Sequence, residues 1–117
     1  MEDLKKQLSA VETLRKSKDM EVAFHTQLKV LLERQGAVNI DSTGAASELK
    51  SIALDMEGTL QNFEREMEWL LSNTQDRASW LTMKKEIDDG RADARRIISS
   101  IKEFILLIER RNRLSGR

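Results

Sequence analysis

The chain has 117 residues, 39% hydrophobic and 34% charged, with no proline, no cysteine and 20 bases balancing 20 acids. That length suits one domain, and the missing cysteine excludes disulfides, thiolate metal sites and cysteine nucleophiles, which makes a reducing, intracellular and cytoplasmic setting the expectation. The longest apolar run, Phe104 to Ile108, is far shorter than the roughly 20 residues that span a bilayer, and the opening residues do not read as a signal peptide.

Proline costs about 3 kcal/mol inside a helix, so its absence permits long uninterrupted ones. The first is predicted over 2–35 and carries Leu4, Leu8, Val11, Leu14, Met20, Phe24, Leu28 and Leu31. At about 100° per residue the first four form one stripe and the last four another, displaced around the helix. A left-handed supercoil, drifting about 20° per heptad, explains much of that shift. The other explanation is a break at Ser17-Lys18-Asp19 with Ser17 capping a second helix; the continuous helix is the expectation. Gly36 is placed to end it in a left-handed turn.

Residues 37–43 read as a loop in which Asp41, Ser42 and Thr43 all offer a capping oxygen to the next helix. That helix is expected over 44–72. Along it Leu49, Ala53, Met56, Leu60, Phe63, Met67 and Leu70 alternate spacings of four and three without a miss, the heptad seam of knobs-into-holes packing.

A short turn at Ser72-Asn73-Thr74 makes the third helix return antiparallel. Asn73 or Thr74 is expected to cap it, with Asp76 near its positive end. It is predicted over 76–114 on a seam of Trp80, Ile87, Ala94, Ile98, Ile101, Ile105 and Ile108, interrupted by Lys84 and Arg91 and widened by Met83, Ile97 and Phe104. Glycine inside a helix costs about 1 kcal/mol relative to alanine, so Asp88-Asp89-Gly90 marks a kink or short loop. The whole, 1–117, reads as a single all-α domain: an elongated antiparallel three-helix bundle, up-down-up, with coiled-coil-like heptad packing. An open arrangement completed by oligomerisation fits the same pattern. In length and periodicity the layout resembles three-helix bundles such as spectrin-like repeats and the N-terminal domains of SNARE proteins. It carries no motif of either family, so no functional residue transfers.

The balanced charge is unevenly spread. Residues 41–76 are rich in acids, including Glu57, Glu64, Glu66 and Glu68, whereas 91–117 are rich in bases, including Arg91, Arg95, Arg96, Lys102, Arg110, Arg111 and Arg113. The simplest reading lays the two helices side by side so that they neutralise each other. The other is a patch (Arg95, Arg96, Arg110, Arg111 and Arg113) for nucleic acid or anionic membrane.

Chemistry is poorly represented. His25 is the only histidine and has no cysteine to share a zinc site. Asp88 to Asp93 lacks the alternating ligands and terminal glutamate of a calcium loop. The glutamates of the second helix lack the cleft that a catalytic carboxylate pair needs. No catalytic residue, metal ligand or cofactor is expected, and the chain is not read as an enzyme.

The informative residues are apolar ones off the seams. Leu54 and Trp69 leave the second seam, while Phe104, Leu106 and Leu107 make the third helix apolar around most of its circumference. Apolar side chains facing water in a bundle point to a protein interface, either self-association or a partner helix. The expected function is therefore a non-catalytic interaction or assembly module, as a homo-oligomer or as an adaptor subunit of a larger helical complex. The alternative is electrostatic binding of nucleic acid or anionic membrane through the basic third helix.

Overall fold

A computed structural model describes residues 2–116, with side chains from Val11 onward. Three helices follow one another: α1 (Glu2–Gly36), α2 (Ala45–Ser72) and α3 (Arg77–Leu114). The chain is 87% helical without a strand among the described residues. The helices pack as an elongated bundle, 73 × 18 × 15 Å. α2 lies against both neighbours, while α1 and α3 meet each other much less.

The second seam is built as its spacing predicts. Leu49, Ala53, Met56, Leu60, Phe63, Met67 and Leu70 are all buried, joined by Ala45 and Ile52. α1 is continuous through Ser17-Lys18-Asp19. It contributes Phe24, Leu28 and Leu31 to the core, whereas Val11 and Leu14, the described members of its first stripe, are exposed; the side chains of Leu4 and Leu8 lie outside the described residues.

Three expectations about the helix ends are corrected. Gly36 is the last residue of α1 and is not left-handed; among the described residues only Gly116 has a positive φ, 73°. The N-cap of α2 is Gly44, which supplies no side-chain cap. The Ser42 hydroxyl instead accepts the Gly44 N–H just before the helix, at 3.1 Å. α3 is capped by Asp76, whose carboxylate accepts the Ser79 N–H at 2.9 Å and the Ser79 hydroxyl at 2.6 Å. These bonds hold the Asp76 carboxyl below its ordinary pKa. Asn73 and Thr74 close α2 instead: their side chains donate to the Trp69 and Leu70 carbonyls, both at 2.7 Å.

The first half of α3 differs in part from expectation. The buried face runs Ser79, Met83, Ile87, Gly90, Ala94: Ile87, Ala94 and the flanking Met83 are as expected, whereas Ser79 takes the place of Trp80 and Gly90 joins the core beside the interruption at Arg91. Gly90 lies inside the continuous α3 and makes no loop. The rings of Phe24 and Phe63 stack with centroids 4.2 Å apart and planes at 15°. A Cβ on Gly90 would meet their edges at 3.6 and 3.5 Å, ordinary contact, so a methyl fits there while a larger side chain would press on the rings. Trp80 turns to the bundle edge, with the Arg77 guanidinium 5.5 Å from its ring centre.

Candidate functional site

The charge asymmetry resolves largely within the bundle. Lys50 pairs with Glu109 at 3.1 Å, Lys102 with Glu57, and Arg91 with Glu64 at 3.3 Å and Glu68 at 3.7 Å. These contacts form a ladder along the α2–α3 seam. Arg111 is tied to Asp41 and to the Ile40 carbonyl, and Arg96 to Asp93. Of the basic patch expected from sequence, Arg95, Arg110 and Arg113 are left exposed and without an ion pair among the described residues.

The thin α1–α3 contact has two parts. Toward the α2–α3 turn it is polar. The buried Ser17 hydroxyl donates to Glu86 at 3.3 Å. Nearby Glu21 has Lys18 at 4.0 Å and His25 at 3.8 Å, yet its Oε2 is buried without a hydrogen bond. Burial raises the Glu86 pKa, and the negative charge of Glu21 raises it further. Asp88 and Asp89 lie exposed on α3. Among the described residues no group of three or more His, Cys, Asp or Glu is arranged to hold a metal ion.

Toward the other end, α1 and α3 part to leave an apolar groove of about 490 Å³, lined by Leu32, Gln35, Arg96, Ile97, Ser100, Ile101 and Phe104. Helix geometry explains it. Ile97 and Phe104 sit seven residues apart on the α1-facing flank of α3, Ser100 falls between them, and Leu32 faces them from α1. Ile97 and Phe104 lean on the core without being enclosed, and Leu32 is 37% exposed. A second depression of about 470 Å³ between α2 and α3 is lined chiefly by polar groups, among them Glu57, Glu64, Arg95 and Lys102.

The interface residues expected from sequence do not form one surface. Phe104 lines the groove, and Leu107 lies beyond it on the outside of α3. Leu106, beside it on the outer half of α3, lies nearer the ladder. Leu54 and Trp69 point outward from α2, separated along it by about 22 Å at 1.5 Å per residue. All four leucine and tryptophan side chains are well exposed. Leu32, Ile97 and Ser100 were missed as site residues, because periodicity shows that a helix has a wide apolar face but not which neighbour fails to cover it.

No protein-family model, curated protein or solved structure matches this chain. The fold is that of an all-α three-helix bundle. No described helix is long and apolar enough to cross a membrane.

Proposed function

We propose that this chain is a non-catalytic helical interaction module whose α1–α3 groove takes up the apolar face of a helix from another protein. The observation that carries the reading is the uncovered Leu32–Ile97–Phe104 wall between α1 and α3, the two helices that touch least. A fourth helix laid there would complete a four-helix bundle, which is the way helix-in-groove recognition uses apolar positions at i, i+3 or i+4, and i+7.

The occupant is argued from the faces this chain has to spare. The seams of α2 and the main face of α3 are spent inside the bundle. Leu54 and Trp69 of α2 stand apart and the outer leucines of α3 alternate with arginines; the exposed Val11 and Leu14 of α1 are what a second copy could offer, and that competing occupant is decided by the solution mass. An adaptor role inside the cell, in keeping with the cysteine-free sequence, follows from this reading.

The test is a plug. Ser100 is exposed at the groove wall, and Ser100→Trp fills the groove without touching the core. Proteins co-purifying with the tagged chain from its own cells are compared for wild type, Ser100→Trp and Leu54→Ser. Loss of one defined partner with Ser100→Trp and its retention with Leu54→Ser is the expected result. Equal recovery with all three would overturn the groove as the docking site.

A further inference from the structure

The outer side of α3 carries a second unpartnered surface, independent of the groove. Leu106, Leu107 and Leu114 are 64%, 58% and 82% exposed. They alternate with Arg110 and Arg113, two exposed bases without an ion pair among the described residues. All five lie on the half of α3 opposite Ile101, Ile105 and Ile108, along about 12 Å of helix. One exposed acid, Glu103, stands about a turn before them.

We infer that this face binds the surface of an anionic lipid bilayer, with the leucines entering the headgroup boundary and the arginines meeting lipid phosphates. Three observations select that occupant. The face is a ridge, and a fluid headgroup layer moulds around a ridge, whereas a folded partner would need a matching furrow. Its apolar and basic side chains alternate, so a ligand must satisfy both at once; nucleic acid would take the arginines and leave the leucines in water, with no aromatic ring on the ridge for base stacking. The net charge of the chain is zero, but exposed Glu48 and Glu66 of α2 lie on a different side of the bundle. The C-terminal end of α3 is therefore a local positive face that can meet a negative surface.

The experiment is co-sedimentation of the full chain with phosphatidylcholine vesicles, with and without phosphatidylserine, at low and high salt. Binding is expected only with phosphatidylserine and should weaken as salt screens it. Leu106→Ser with Leu107→Ser should lower partitioning about tenfold or more, and Glu103→Lys should raise it several-fold, both with unchanged helical content. The gain with Glu103→Lys cannot come from a damaged fold. Ser100→Trp should leave vesicle binding intact, which keeps this inference separate from the groove. No sedimentation at low salt overturns it. So does binding that ignores the leucine substitutions and is matched by duplex DNA, since that is phosphate attraction alone.

Discussion

Gly90 of α3 faces the stacked rings of Phe24 and Phe63 across the core. The space is not tight. A Cβ there would sit 3.5 Å from the nearest ring atom, an ordinary contact, and alanine is favoured over glycine inside a helix by about 1 kcal/mol. Gly90→Ala should therefore stabilise the protein by roughly 0.5–1 kcal/mol, read as a higher denaturant midpoint at unchanged slope. Gly90→Leu should destabilise it by about 1–3 kcal/mol, because the rings would have to separate. Glu86 makes the second residue-scale prediction. Its native pKa is raised from 4.5 by burial and by Glu21, so the native state holds that proton more tightly than the unfolded chain. Its contribution is then greatest in acid and declines as pH rises from the ordinary carboxylate value through the raised one. Glu86→Gln should flatten that part of a stability–pH curve and leave the protein at least as stable as wild type at pH 7. Asp76 works in the opposite sense: its lowered pKa means that its capping contribution is lost only in stronger acid, and Asp76→Ala should remove that acid limb and weaken the start of α3.

Elements were legible in proportion to how apolar their buried positions are. The α2 seam is read straight from its spacing, because every core position there is a large aliphatic, an aromatic or an alanine. The first half of α3 was misread in part because Ser79 and Gly90 do not look like core, whereas Trp80 does. Caps were misassigned for a related reason: Asp41, Ser42, Thr43, Asn73 and Thr74 are all competent, and the choice among them depends on how the loop closes. The acid-rich and base-rich stretches did identify a real contact, the α2–α3 ladder. Within it Arg91 is the most enclosed base, its side chain 22% exposed beside Glu64 at 23%. Arg91→Ala should cost about 1–2 kcal/mol, between the values for surface and buried pairs. Arg96→Ala, removing a surface pair within one helix, should cost less than about 0.5 kcal/mol. Equal losses in thermal or chemical denaturation would mean that the ladder contributes nothing beyond local helix pairing.

Over the whole molecule the decisive feature is inequality among three contacts. α2 is covered on two sides, and α1 and α3 are left apart where Leu32, Ile97 and Phe104 face each other. Sequence pointed to Phe104, Leu106 and Leu107 as more apolar than a closed bundle requires, and their exposure agrees for the two leucines. The groove itself depends on how three helices are arranged around one another, which no single helix encodes. A chain that docks another protein's helix, and does not pair with its own copies, should have a solution mass near 13.5 kDa by light scattering at every concentration tried. The most direct test is photo-cross-linking in cells from a benzophenone amino acid at position 100, with the attached residues identified by mass spectrometry. The groove predicts one partner cross-linked through residues spaced three or four apart on a single helical face, lost in Ile97→Asp and kept in Leu54→Ser. Attachments to many proteins without that spacing, or the same products from a probe at Gln61 on α2, would contradict it.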